Sequence, residues 1–120
     1  MKSGEIMGDR AVDDFLMRKG FRIIAKNFSN PDGGPQLGII SQLGNSVIGC
    51  DLRVSIGDGY VSKLDINRIK SMYVILSLYV NGKEVLRNKE KRVDVVDVSL
   101  DRKGRLISIS HREDVSRGTL

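Results

Sequence analysis

The order of helix-like and strand-like segments is the feature that most constrains the fold of this chain. A long apolar stripe at helical spacing predicts a helix over 63–80, and a shorter stripe predicts another over 5–19. Segments with the alternation or apolar character of strands occupy most of the remaining chain: 21–28, 37–43, 46–54, 91–100 and 105–110. The resulting order, α-β-β-β-α-β-β, predicts an α/β fold in which a central mixed sheet is flanked by helices.

Turn-forming and capping residues mark the ends of these segments. The dipeptide Gly44-Asn45 lies between two apolar runs and predicts a hairpin that joins the second and third strands. Ser62, followed three residues later by an aspartate, predicts the N-cap of the second helix. The segment 55–60 (SIGDGY) predicts a flexible loop, and the polar residues 111–120 predict a mobile tail after a core at about 5–110.

Length and composition bound the class of protein. With 120 residues, the chain is expected to form a single domain over 1–120. Ser77 interrupts the longest apolar run, so no segment is expected to span a bilayer, and the N-terminus has no signal-peptide core. The single cysteine, Cys50, excludes an intrachain disulfide framework, and the single histidine, His111, leaves little material for a histidine-based metal site. We expect a cytoplasmic protein with Cys50 in its core and His111 in solvent.

The charge balance favours a polyanionic partner such as nucleic acid. The chain has 20 Lys+Arg against 15 Asp+Glu, a net charge of +5. Its 3 Phe, 3 Tyr and no Trp make a binding surface of several stacked aromatics less expected. A basic cluster surrounds the turn after the second helix: Lys83, Arg87, Lys89, Lys91 and Arg92. This cluster is interpreted either as a phosphate-contacting patch or as a solvated loop of mixed charge.

Several stretches resemble the YraN-like family of small bacterial proteins, which have a restriction-endonuclease-like fold. The resemblance covers roughly 8–100, and four stretches carry it: Gly8-Asp9, LMRKGFRIIAKNF at 16–28, the paired strands at 36–54, and KRVDVVDV at 91–98. The resemblance implies a single restriction-endonuclease-like domain. It also implies a nuclease-type metal site, in which two strand carboxylates bind Mg²⁺ and a lysine acts on water and phosphate.

The chain departs from the family pattern at this metal site. Where the family has Gly-Glu-Ile-Asp on the second strand, this sequence has Pro-Gln-Leu-Gly, so Gly38 replaces the metal-binding aspartate. Where the family has Glu-Val-Lys on the third strand, this sequence has Asp51-Leu52-Arg53. Asp51 retains a carboxylate, whereas Arg53 retains the charge but is a poor proton acceptor. The resemblance thus implies a degenerate catalytic site, with Asp51 and Arg53 as its remnant.

Strand periodicity places Asp51 and Arg53 on one face of the third strand, together with Val47. The opposite face is predicted to be the better core face, and it carries Ile48, Cys50, Leu52 and Val54. One interpretation of Asp51 and Arg53 is a remnant metal and phosphate site. The other is an ion pair that neutralises two half-buried charges.

Two further acids are candidate metal ligands beside Asp51. Asp9 occupies the place of the family's first-helix acid, but an acid early in a helix also matches the helix dipole. Asp32 could act as a substitute ligand, but an aspartate beside two glycines is also a common turn former. If the site holds a metal, these acids and Asp51 are its predicted ligands and Mg²⁺ is its predicted ion.

The functional hypothesis is a nuclease-related protein, catalytically impaired and without a cofactor, that binds nucleic acid without base specificity. Residues predicted to contact nucleic acid are Arg53, Lys63, Arg68 and Lys70. Two alternatives stay open: an active Mg²⁺-dependent endonuclease acting on DNA, and a non-catalytic protein-interaction module. Whether the protein is an enzyme is left open, and association of two copies through an edge strand is a further hypothesis.

Overall fold

The protein is described by a computed structural model that covers residues 3–57 and 62–118, with side chains from residue 10 onward within those ranges. Its elements are α1 (Ser3–Arg18), β1 (Arg22–Ser29), β2 (Gln36–Leu43), β3 (Ser46–Ile56), α2 (Ile66–Asn81), a short 3-10 helix (Glu84–Leu86), β4 (Glu90–Leu100) and β5 (Leu106–Arg112). The order and the α/β class predicted from the sequence are therefore confirmed.

The five strands form one mixed sheet in the order β1-β2-β3-β4-β5. All neighbours are antiparallel except β3 and β4, which run parallel. Parallel strands cannot be joined by a tight turn, and α2 supplies the crossover between them. The predicted hairpin at Gly44-Asn45 is confirmed, with Gly44 at φ +58°, a conformation that glycine adopts without a steric penalty.

A helix covers each face of the sheet. On one face, α1 buries Val12 and Leu16 against apolar side chains of β3 and β4, among them Ile48 and Val96. On the other face, α2 buries its apolar stripe, including Met72, against a second set of strand residues. Both clusters exclude water, so the sheet is the central layer of three.

The predicted core face of β3 packs under α1, but the opposite face is covered as well. Val47, placed on the polar face by its alternation with Ile48, is fully buried under α2. Val54, placed on the core face, is 57% exposed because it lies towards the end of the strand. Alternation still assigns residues to faces, but it does not reveal that a second helix covers the other face.

The second helix begins three residues later than predicted. Asp65 is its N-cap, and the Asp65 carboxylate accepts hydrogen bonds from the backbone amides of Asn67 and Arg68. Ser62, the predicted cap, is buried and instead donates its backbone N–H to Asp97 Oδ1 at 3.1 Å. On sequence grounds either Ser62 or Asp65 could cap the helix. The tertiary contact of Ser62 with Asp97 leaves Asp65 as the cap.

The prediction of a mobile tail over 111–120 is wrong for its described part. Strand β5 continues to Arg112, and the following residues return to β4. There the amide of Val115 donates to the Val93 carbonyl at 2.8 Å, while Ser116 Oγ accepts from the Val93 amide at 3.1 Å. The His111 side chain, expected in solvent, is only 2% exposed.

The first half of the predicted loop at 55–60 is described, and 58–60 lie outside the described residues. Ser55 and Ile56 complete β3 and pair with β4, and Gly57 follows them. Within the described ranges, neither helix is long and apolar enough to cross a bilayer.

Candidate functional site

The Asp51 carboxylate is closed by an arginine from α2. Arg68 donates from Nε to Asp51 Oδ2 at 2.6 Å and from Nη2 to Asp51 Oδ1 at 2.9 Å, so both carboxylate oxygens are engaged. The Asp51 side chain is 4% exposed. Arg53, the partner expected from the sequence, is more distant, with Nη1 3.6 Å from Oδ2. Asp51 therefore forms an ion pair, as one interpretation predicted, but its main partner is Arg68 and not Arg53.

The start of α2 places Arg68 for this contact. The Asp65 cap fixes the first turn of the helix, and Arg68 lies three residues after the cap. From that position its guanidinium reaches Asp51 on β3. Its hydrogen bond to Asp51 raises the pKa of the Arg68 guanidinium and outweighs the lowering effect of burial, so the arginine stays charged.

A second arginine–carboxylate pair lies beside the first on the same face. Asp97 is the Cα partner of Arg53 across the parallel pair, and its side chain is 3% exposed. Arg112 on β5 donates from Nη2 to Asp97 Oδ2 at 2.6 Å and to Ser62 Oγ at 2.9 Å. Each strand carboxylate on this face is therefore matched by its own arginine.

We call Asp51, Arg53 and Arg68 the Asp51 centre. The space enclosed between these side chains and the start of α2 is about 10 Å³. That volume holds about one water molecule, whereas Mg²⁺ in proteins usually keeps several waters in its octahedral shell. With both Asp51 oxygens bound to Arg68, the described residues of this centre do not fit Mg²⁺.

Gly38 does not face the Asp51 centre. A Cβ built on Gly38 would lie 2.8 Å from the Cβ of Leu52, closer than real carbon atoms approach. Leu52 follows Asp51 on β3 and packs against the cluster under α1, on the opposite face of the sheet. The glycine is therefore explained by close strand packing, and a side chain there would point away from Asp51.

The other two predicted metal ligands lie on elements other than β3. Asp9 lies in α1, which packs on the opposite face of the sheet, and its side chain is outside the described set. Asp32 lies in the β1–β2 turn, where its backbone amide donates to Asn30 Oδ1 at 3.0 Å. In this contact Asn30 is the turn former, because its side-chain oxygen accepts from the amide two residues further along the chain. Metal-binding roles for these residues stay predictions.

The predicted nucleic-acid contacts divide between two places. Lys63 is exposed and lines the Asp51 centre together with Arg53 and Arg68. Lys70 is also exposed, but it lies beside the β1–β2 turn, next to Gly33 and other turn residues. Arg53, Lys63 and Arg68 therefore form one cationic group, and Lys70 lies apart from it.

The structure also contains a buried polar network on the face covered by α1. Asp94 is fully buried, and its Oδ2 lies 2.7 Å from His111 Nε2. The Lys19 ammonium, which can only donate, lies 2.6 Å from His111 Nδ1. Nδ1 therefore accepts, and Nε2 carries the proton that it donates to Asp94. The edges of the Phe15 and Phe21 rings enclose the imidazole.

Within this network, Asp94 is satisfied by neighbours other than a metal. Arg92 donates to both of its oxygens at 3.1 and 3.2 Å, and the Asp114 amide donates to Oδ1 at 2.8 Å. Burial alone would raise the pKa of the carboxyl. Hydrogen bonds from His111, the Asp114 amide and Arg92 instead hold the Asp94 pKa below its ordinary value.

Potential ligand atoms of Asp94, His111 and Glu113 lie within 4.8 Å of one another, a spacing that a metal could bridge. Arg92 already occupies the position between the acids, because its Nη2 also donates to Glu113 Oε1 at 3.1 Å. A cation would have to displace this guanidinium. The cluster is therefore explained as an ion-pair network that joins β4 to β5.

Cys50 lies in the apolar cluster under α1 and is fully buried. Burial, reinforced by the nearby Asp94 charge, raises the pKa of its thiol well above the ordinary value. The thiol therefore stays protonated, as expected for the core residue that the sequence predicted.

The basic cluster predicted after the second helix is divided by the fold. Arg92 turns into the Asp94 network, and Arg87 Nε donates to the carbonyl of Asn81 at 3.0 Å. Lys91 lies over the Tyr73 ring at 5.3 Å. Lys83 and Lys89 remain together and line an open groove beside β1.

The chain matches none of the family models and none of the curated proteins with which it was compared.

Sequence reasoning missed Asp94, Asp97 and Arg112. A signal for the two acids is present in the run VDVVDV, because their odd separation in a strand places one acid on each face of the sheet. Two acids in a strand that is otherwise apolar each require a cationic partner. Arg92, the cationic partner of Asp94, lies on β4 itself. Arg112, the partner of Asp97, comes from β5, whose register on β4 the sequence does not specify.

Proposed function

We propose that this protein is a non-catalytic nucleic-acid-binding domain of the restriction-endonuclease-like type, in which an internal ion pair occupies the metal position. The observation that carries the proposal is the two-pronged contact of Arg68 with Asp51 in a space of about 10 Å³. An arginine supplies there the positive charge that a metal would bring to a phosphate. Unlike a metal ion, the arginine cannot activate a water molecule for attack on a phosphate.

The element order supports the kinship with this nuclease class. A helix, three strands, a crossover helix and a parallel fourth strand match the order expected from the resemblance to YraN-like proteins. Asp51 lies on β3, and the resemblance assigns it to the family's strand acid. The similarity is one of architecture, and the function is argued from the site itself.

Charge at the Asp51 centre supports a polyanionic ligand. Arg53 and Arg68 are each 35% exposed at the side chain, and Lys63 is exposed beside them. Against these three cations stand Asp51 and the helix cap Asp65, so the local balance is positive. The guanidinium of Arg53, weakly held at 3.6 Å from Asp51, is the group best placed to turn towards a phosphate.

Anisotropy titrations of labelled single-stranded and duplex DNA, at several salt concentrations and with EDTA present, test the proposal. We expect weak, sequence-independent binding that falls steeply as salt rises. The variant Arg53→Ala should weaken binding and reduce the slope of log K against log salt by about 1. Arg117→Ala removes an equal charge from an exposed position near the end of the described chain and is the matched control.

The protein-interaction alternative makes the opposite prediction in the same titration. If the basic surface serves only for solvation, low salt gives no DNA binding, or binding that Arg53→Ala leaves unchanged. Either result would contradict the proposed function. The active-nuclease alternative requires Arg68 to leave Asp51 before a metal can bind.

A further inference from the structure

A second cationic region lies at the far end of α2 from the Asp51 centre. It is an open groove of about 450 Å³ between the β1–β2 edge of the sheet and the end of α2. We call it the basic groove and define it by Arg22, Gln42, Tyr79, Lys83, Val85 and Lys89. Its volume lies within the range of about 300 to 1,000 Å³ that is typical of small-ligand sites.

The basic groove carries positive charge without internal compensation. Three of its residues are cations, and among the described residues that line it none is a carboxylate. In the described part of the chain, Arg22, Lys83 and Lys89 form no ion pair with an acid, in contrast to Arg68 and Arg92. Cations that line one concave surface attract an anion with several charged oxygens.

The end of α2 would ordinarily oppose an anion, because helix C-termini carry partial negative charge. Here the last carbonyls already accept hydrogen bonds. Leu78 O accepts from the Gly82 amide, Val80 O from the Lys83 amide, and Asn81 O from Arg87 Nε. The repulsion that these carbonyls would exert on a phosphate is therefore reduced.

The same groove has an aromatic and apolar wall. Tyr79 packs edge-to-face on Phe28, with ring centroids 5.1 Å apart, which holds its ring in place. The Lys83 ammonium lies 5.7 Å from the centre of the Tyr79 ring. Val85 is 82% exposed, the largest exposure among the big apolar residues of the described chain. Tyr79 and Val85 both line the groove.

We propose that the basic groove binds a nucleotide, that is, a phosphate linked through a sugar to a planar base. The phosphate oxygens meet Arg22, Lys83 and Lys89, and the base lies on Tyr79 and against Val85. Binding of the phosphate draws Lys83 off the Tyr79 ring and exposes that ring face to the base. Gln42 Oε1 accepts from Arg22 at 3.1 Å, which leaves the Gln42 amide N–H groups to donate to the sugar or base.

This inference goes beyond the proposed function, since the groove and the Asp51 centre lie at opposite ends of α2. The nucleotide could come from two sources, a free nucleotide or one residue of a single strand. Both sources offer the same chemistry, and the experiment below separates them.

The test follows backbone amide signals of the ¹⁵N-labelled full chain during titration with ADP, with pyrophosphate, and with a short single-stranded oligonucleotide. We expect ADP to shift the signals of Arg22, Gln42 and Lys83, and to bind several-fold more tightly than pyrophosphate because the base stacks on Tyr79. If the oligonucleotide shifts these signals and ADP does not, the ligand is a residue of a single strand. Shifts with ADP assign it to a free nucleotide.

Variants test the two halves of the site. Lys83→Glu should weaken ADP binding about tenfold or more, the value of one charge-assisted contact. Lys103→Glu makes the same charge change at an exposed turn elsewhere and should leave ADP binding nearly unchanged. Tyr79→Leu should abolish the preference for ADP over pyrophosphate while leaving pyrophosphate binding in place.

Three outcomes would overturn the inference: no shifts at the groove with either ADP or the oligonucleotide, equal affinity for pyrophosphate and ADP, or equal loss in Lys83→Glu and Lys103→Glu. The two proposals fail separately. Oligonucleotide binding that depends on Arg53, with groove signals that neither ADP nor the oligonucleotide shifts, retains the proposed function and rejects the groove. ADP binding at the groove without oligonucleotide binding does the reverse.

Discussion

Removing the Arg68 guanidinium tests whether Asp51 is closed by an ion pair. The variant Arg68→Met keeps much of the apolar stem but deletes both hydrogen bonds to a carboxylate that is 4% exposed. Removing one partner of a buried pair costs about 3 to 5 kcal/mol. Arg68 is 35% exposed, and Arg53 remains 3.6 Å from Asp51, so part of the charge stays compensated. We therefore expect a loss of about 2 kcal/mol in the free energy of unfolding.

Urea denaturation measures this loss as a fall of about 1 M in the midpoint with an unchanged slope. Lys70→Met removes an exposed cation two residues further along the same helix, and should change stability by less than about 0.5 kcal/mol. A double-mutant cycle with Asp51→Asn isolates the pair, and we expect a coupling of more than about 1 kcal/mol. Additive single mutants, or an Arg68→Met variant as stable as Lys70→Met, would refute the closed pair.

Three further predictions concern other parts of the fold. Gly38→Asp should destabilise the protein by about 1 to 3 kcal/mol, because the new side chain would overlap with Leu52. Calorimetric titration of this variant should show no Mn²⁺ binding. A stable variant that binds Mn²⁺ would contradict the strand-packing account. The Asp94 pKa lies below its ordinary value of 3.8, so its charge stabilises the folded state above that pH and the stabilisation is lost as pH falls towards the folded pKa. Asp94→Asn should therefore show a shallower loss of stability below pH 3.8 than the wild type in acid-titrated urea melts, and an identical slope would count against the network. Cys50 should react with a thiol reagent only on unfolding, and fast labelling of the native protein would show that the site is open.

The sequence was sufficient for the element order because that order depends on local periodicity. The apolar stripe of α2 and the dipeptide Gly44-Asn45 are short-range signals, and both predicted elements are present. The start of α2 was misplaced because Ser62 and Asp65 are equivalent as caps in sequence and differ only in their tertiary contacts.

The candidate site was less predictable because its contacts join distant segments. Arg68 meets Asp51 only because α2 crosses back over β3, whereas strand periodicity alone pointed to Arg53. The buried position of His111 follows from its register opposite Val96 and from the packing of α1, neither of which is visible in the polar sequence around it. Side-chain partners across a sheet are set by register and helix placement, and composition does not encode them.

The most direct test of the account is incubation of the pure protein with branched, single-stranded and duplex DNA in EDTA, Mg²⁺ and Mn²⁺, with binding and strand cleavage measured on the same samples. A non-catalytic binder whose metal position is filled by Arg68 should bind DNA to a similar extent with and without metal, and should produce no cleavage above the Asp51→Asn control. Cleavage that requires Mg²⁺ or Mn²⁺ and disappears in Asp51→Asn would contradict the account.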